Sequence, residues 1–160
     1  MKQKEIKLVI DDKLLTEYWE YYKKFHPTAR TSPIKKPKGK DKTKGYVHIM
    51  TTNEFTSLSG RIVQNNYKDA WKSFVLWAAK KYKFENWNLE KARITVSWYW
   101  ENNRRHDIDN ASFCLKFILD GLVAAHTIID DKFGMLEIVL DCEHRVDKNN
   151  PRTEFLIEEI

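Results

Sequence analysis

The chain has only two cysteines, and neither Cys114 nor Cys142 belongs to a CxxC pair. Neither a disulfide framework nor a zinc site is therefore indicated, and a reducing cytoplasm fits best. No apolar run approaches the roughly 20 residues needed to cross a bilayer. Met1 to Ile6 alternates Lys and Gln with little apolar character, unlike a signal peptide. Internal repeats, low-complexity segments and linkers between cores are also missing. What remains is 160 residues, 42% hydrophobic and 32% charged, enough for one soluble domain with a full core. Six tryptophans and an aromatic content of 13% make that core bulky.

Charge is distributed unevenly. The net value of +5 points only weakly to an anionic partner, but residues 35–44 hold six lysines in ten positions: Lys35, Lys36, Lys38, Lys40, Lys42 and Lys44. Pro37 and Gly39 interrupt regular structure there, so a mobile basic loop is expected within an irregular region from Pro27 to about Gly45. Alone, such a loop is a solvated surface. Beside a phosphate-processing site it becomes a grip on a nucleic-acid backbone.

Periodicity sets a mixed order of elements. Residues 4–10 read as a strand, 13–25 as an aromatic-rich short helix, and 46–50 as a short strand. Tyr67, Ala70, Trp71, Phe74, Val75, Ala78 and Tyr82 recur at helical spacing. Ile94, Val96, Trp98 and Trp100 alternate with polar residues over 92–100, a half-buried strand. A helix of roughly 111–125 follows, then strands at 135–142 and 153–160. The expected fold is one α/β (α+β) domain over 1–160, a small mixed sheet with two main helices.

The most telling stretch is Arg104-Arg105-His106-Asp107-Ile108-Asp109-Asn110, followed by Asp130-Asp131. Hydrolysis of a phosphodiester requires neutralised phosphate charge and an activated water, and a divalent metal held by carboxylates supplies both. Mg²⁺ (or Mn²⁺) prefers oxygen ligands and keeps several waters, so two or three aspartates suffice. In an extended segment Asp107 and Asp109 project together, with Ile108 buried behind. Asp130 or Asp131 joins them only through tertiary folding. The bland readings are a helix-capping pair for Asp109-Asn110 and a polar turn for 130–134. An acid cluster beside Arg104 and Arg105 weighs against them.

The blocks Arg-His-Asp-Ile-Asp-Asn, Lys-Phe-Ile-Leu-Asp-Gly-Leu and Ile-Ile-Asp-Asp resemble the signature of the RusA-type Holliday junction resolvases. The resemblance covers about residues 93–160, with the blocks in order and a ten-residue step from Asp120 to Asp130. Pro151 to Ile157 is similar to the family's last strand. It implies Asp107, Asp109 and Asp131 as metal-binding acids, with Asp130 a nearby candidate of smaller role. Lys116 corresponds to the catalytic lysine. The chain departs from the pattern at Ala111-Ser112-Phe113, an apparent insertion. Three residues turn a helix by about 300° and lengthen it by ~4.5 Å, which bears on where Lys116 reaches.

The resemblance further implies a homodimer acting on branched DNA, with Mg²⁺-dependent hydrolysis leaving a 5′-phosphate and a 3′-hydroxyl. Arg104, Arg105 and the six lysines of 35–44 are the expected phosphate contacts, and Asn110 a DNA contact or a cap. His106 is expected to be a solvent-facing imidazole, Asp120 a structural polar contact, and Trp98, Tyr99 and Trp100 mainly packing. Competing readings are a same-fold nuclease for flaps or forks, a non-catalytic branched-DNA binder, and an interaction protein.

Overall fold

The computed structural model describes residues 3–34, 37–38, 41–45 and 52–160, and for 37–38, 41–45 and 53–54 the backbone alone. Strand β1 (Glu5–Ile10) leads to helix α1 (Asp12–Phe25). A small hairpin follows, β2 (Pro37–Lys38) with β3 (Asp41–Gly45), then the short helix α2 (Thr52–Thr56) and the long helix α3 (Gly60–Tyr82). Strand β4 (Ala92–Trp100), helices α4 (Ile108–Ala111) and α5 (Cys114–Ala124), and strands β5 (Leu136–Val146) and β6 (Arg152–Glu159) complete the chain.

Four strands form a mixed sheet in the order β1-β6-β4-β5, with β4 parallel to β5 and antiparallel to β6. The registers Leu8↔Phe155↔Val96 and Ile6↔Ile157↔Ile94 place alternate residues on one face. That face carries the core: Leu8, Ile94, Val96, Phe155 and Ile157 are buried there against Trp71, Phe74, Val75, Phe117 and Ile118 of the helices. The other face carries Thr95, Ser97, Tyr99, Arg152 and Glu154, which are half-buried. The alternation over 92–100 is thus obeyed, because a strand with one packed face alternates.

Helix α1 begins where Asp11 accepts a hydrogen bond from the Leu14 N–H at 2.9 Å, a side-chain N-cap. It seats Tyr18 edge-on against Phe74 at 5.3 Å. With fourteen residues it is a third main helix, where two were expected. Its apolar stripe of Leu14, Leu15 and Tyr18 packs like those of α3 and α5. Helix α3 starts seven residues before the periodic stretch, at Gly60, because its first turns are exposed and carry no apolar stripe. It crosses α5 at close range: a Cβ on Gly121 would overlap all three side-chain carbons of Val75.

Other elements differ from expectation. Part of the basic segment pairs as the hairpin β2–β3 rather than remaining irregular. The expected strand at 46–50 lies outside the described residues. β5 runs four residues beyond Cys142 because Tyr99 and Trp100 continue its pairing through Arg145 and Val146. The predicted single helix over 111–125 is broken: α4 ends at Ala111 and α5 begins at Cys114, joined by three-residue bonds from Leu115 N–H to Ser112 and from Lys116 N–H to Phe113. The break falls on Ser112 and Phe113, two of the three residues read as an insertion. No helix among the described residues is long and apolar enough to cross a membrane.

Candidate functional site

The segment 101–107 leaves β4 at Trp100 and is tied back to the sheet. The Trp100 and His106 rings lie parallel, 3.5 Å apart and 4° from coplanar, and His144 on β5 continues the stack at 6.0 Å. His144 Nε2 also lies 3.3 Å from the Arg104 carbonyl. His106 is solvent-facing, as expected, and also stacks on its neighbour: a flat ring in water next to an indole gains by stacking on it.

This stack sets the position of the acids. Asp107 occupies the N-cap of α4 in extended geometry, yet its carboxylate makes no capping bond. Instead it accepts from Arg105 Nε at 3.2 Å, with 61% of the side chain exposed. Asp109 is the second residue of the same short helix. Its carboxylate is exposed and makes no hydrogen bond or ion pair among the described residues. The two acids are thus not neighbours on an extended segment, and Ile108 between them is exposed rather than buried. A helix start replaces the extended run because Ala111 N–H closes back onto the Asp107 carbonyl at 3.0 Å.

Lys116 stands in the first turn of α5 with its side chain exposed. The α4–α5 break absorbs the insertion, so Lys116 begins a new helix instead of being carried around an old one. Asn110 is half-buried on α4, and Arg104 presents an exposed side chain at the same end of the sheet. Phe55 of α2 packs on Phe113 and Phe117 at 5.3 and 5.5 Å, which seats α2 beside the start of α5. The basic hairpin precedes α2 by six residues. Of the six lysines, Lys38, Lys42 and Lys44 lie on β2 and β3, and Lys35, Lys36 and Lys40 fall outside the described residues.

The second acidic pair lies elsewhere. The parallel register sets Leu136 opposite Ala92, and Val146 opposite Trp100. Ile129 N–H bonds the Leu89 carbonyl at 3.1 Å, and Ala92 N–H bonds the Met135 carbonyl at 3.0 Å. Asp130 and Asp131 therefore flank the beginning of β4, whereas Asp107 follows His106, which stacks at the Trp100 end; the strand between those two ends is roughly 26 Å long, eight steps at ~3.3 Å each. Asp130 is held by Lys132 and by the Asp131 N–H at 2.8 Å; the Lys132 ammonium keeps its carboxyl below the ordinary range. Asp131 is exposed. Among the described residues no group of three His, Cys, Asp or Glu side chains could hold a metal. One chain brings Asp107 and Asp109 together at the start of α4, with Arg105 on Asp107, and holds Asp131 near the other end of β4.

A neighbouring cluster escaped the motif search. On the polar face of the sheet, Tyr99 lies under the Arg152 guanidinium at 3.7 Å, with Arg145 5.6 Å from its ring. Arg152 bonds Glu154 at 2.7 Å and Asp147 at 2.8 Å; Arg145 bonds Asp141 at 2.8 Å and also Glu143. The Asn150 N–H and then Arg152 lower the Asp147 carboxyl below its usual range. The signal was present as alternating charges over 141–145 and 152–154. Both arginines are committed to carboxylates, so this cluster clamps β5, β4 and β6 beneath the 101–107 segment.

No protein-family model matches the chain, and no curated protein matches it either.

Proposed function

We propose that the protein is a metal-dependent, structure-specific endodeoxyribonuclease that resolves branched DNA, Holliday junctions above all, as a homodimer. The observation that carries the reading is the state of Asp107 and Asp109. Both follow an arginine pair, neither is consumed by capping, and both stay exposed on the short helix that precedes Lys116. The resemblance of 93–160 to the RusA-type resolvases supports the same reading and supplies the reaction class.

Two oxygen-donor carboxylates suit Mg²⁺, which commonly takes one or two from the protein and fills its other positions with water and phosphate. A cation bound there would neutralise phosphate charge and acidify a water. The protein's own part is to hold Asp107 through the Trp100–His106 stack, to place Arg104 and Arg105 against the backbone, and to set the Lys116 ammonium near the developing charge.

Topology favours a dimer of one particular kind. β5 is an edge strand of eleven residues with Ile138, Val139 and Val146 exposed. Such an edge is a template for another strand. Antiparallel pairing of two β5 edges about a two-fold axis sets the Leu136 end of one against the Val146 end of the other. The partner's Asp131 then joins Asp107 and Asp109. The site is completed between copies, which separates this arrangement from an acidic site held within each subunit.

The test is nicking of a labelled four-way junction, with fork and linear duplex alongside, in Mg²⁺ and then in EDTA. Wild type should cut symmetrically and only with metal, and Asp109→Asn should not cut. Tight junction binding without cutting by wild type would instead identify a structure-specific binder. Preference for the fork would identify a same-fold nuclease of other branched intermediates.

A further inference from the structure

The loop between α5 and β5 holds a side chain that neither the fold nor the acid chemistry uses. Phe133 is fully exposed, with no ring contact among the described residues. By contrast, exposed Phe25 leans on Tyr21 at 5.2 Å. The placement of Phe133 is built rather than loose. Lys132 carbonyl accepts from the Met135 N–H at 3.2 Å, and Gly134 between them has φ of +86°. That is a tight turn whose third residue requires positive φ, and Phe133 is its second, outward residue. The turn rests on the paired backbones of Leu89 and Ala92 and on the Asp130–Lys132 ion pair.

An aromatic ring in water is unfavourable unless something covers it. The composition of the loop says what. Asp131, Lys132 and Phe133 present in succession an acid, a cation and a flat apolar face, which suit a metal, a phosphate and a base. Directly beside the ring the exposed neighbours are the charged Asp131 and Lys132, with Ile129 farther along the loop.

We propose that Phe133 is a wedge that stacks on a base at the branch point of the DNA, holding the strands apart beside the site that receives Asp131. The inference rests on the branched-DNA reading and names the feature of the substrate that the site selects. Bases at a branch point lack a continuous stack, so the energetic cost of insertion is lower there than in duplex. Base–aromatic stacking of the usual strength corresponds to about tenfold in affinity or somewhat more.

The experiment uses the full chain, Ca²⁺ in place of Mg²⁺, and a four-way junction carrying 2-aminopurine at the branch point, with linear duplex as control. Wild type should raise the 2-aminopurine emission on binding. Phe133→Ala should bind the junction about tenfold more weakly, leave the emission unchanged, and bind duplex as wild type does. Phe133→Tyr should restore both signals, which a folding defect in the alanine variant would not explain. Equal emission and junction affinity for wild type and Phe133→Ala would overturn the wedge. So would a shift of Phe133→Ala from dimer to monomer in sedimentation, which would make the ring a subunit contact. If wild type nicks junctions in Mg²⁺ while either result holds, only the wedge falls. If wild type binds no DNA of any form, the branched-DNA reading falls with it.

Discussion

At the Trp100 end of β4 the chain is held by side chains: a Trp100–His106–His144 stack and guanidiniums paired with Asp141, Asp147 and Glu154. At the Ala92 end it is held by backbone, through the bonds of Leu89, Ile129, Ala92 and Met135. Both ends nevertheless divide their acids in the same way. Some carboxylates are paired with nearby cations, as Asp107 is with Arg105 and Asp130 with Lys132, and others are exposed with no ion pair among the described residues: Asp109 at one end, Asp131 at the other. An exposed acid that no capping bond consumes is available for chemistry. Under the proposed function, two such groups at opposite ends of one strand would be joined by a second copy that reverses the direction.

The largest effects should come from removing the exposed acids. Asp109→Asn and Asp131→Asn should each lower junction nicking by about 10²-fold or more, on the scale of losing one transition-state contact. Asp130→Asn, which removes an acid already pinned by Lys132, should change it only a few-fold. Comparable losses for Asp130→Asn and Asp131→Asn in a gel nicking assay would erase the distinction between spent and unspent acids.

Next in size is a test of the frame that holds the two ends apart. Gly121→Ala should destabilise the fold by about 1–3 kcal/mol through overlap with Val75. At this chain length that is a fall in melting temperature of roughly 2–4 °C per kcal/mol. Adding Val75→Ala should return part of the loss, and calorimetry of the double variant would measure the coupling. Strict additivity would show that the two groups do not meet.

The stack at the Trp100 end should matter less, and to position rather than folding. His106→Ala should lower nicking by about tenfold, because displacing Asp107 misaligns the site. His106→Phe keeps a flat ring and should recover most of that loss. Failure of Phe to rescue would give the imidazole a chemical role of its own.

The smallest effect concerns acid. The carboxyls of Asp141 and Asp147 titrate below their ordinary range because backbone N–H groups and arginines favour the charged form. Their contribution is full above the unfolded value, about 3.9, and is lost as pH falls through the lowered folded value. Thermal melts should hold steady down to roughly pH 4 and decline below it, less steeply for Asp147→Asn. An equal decline for wild type and Asp147→Asn would remove Asp147 from the account.

The sequence carried most of the fold because alternation and helical spacing report burial directly. β4 is bounded as its alternation predicts, and β1, α1 and β6 lie within one or two residues of the expected ends. It did not carry the α4–α5 break. The bonds there are local geometry around Ser112 and Phe113, and apolar spacing continues across them. Nor did it carry the start of α3, which is exposed. Of the candidate site, the closeness of Asp107, Asp109 and Arg105 was legible, since they are close in sequence. The separation of Asp131 was not, because it depends on β5 pairing parallel to β4, a non-local choice.

The most direct measurement mixes two inactive chains. Asp109→Asn and Asp131→Asn, unfolded together and refolded so that mixed dimers form, should regain junction nicking, because one of the two sites in each mixed dimer is intact. The regained activity should be up to about one quarter of wild type, the product of half the dimers and half their sites. Mn²⁺ titration followed by electron paramagnetic resonance should show the same recovery. A mixture as inactive as its parts, beside a wild type that cuts, would contradict a site shared between copies.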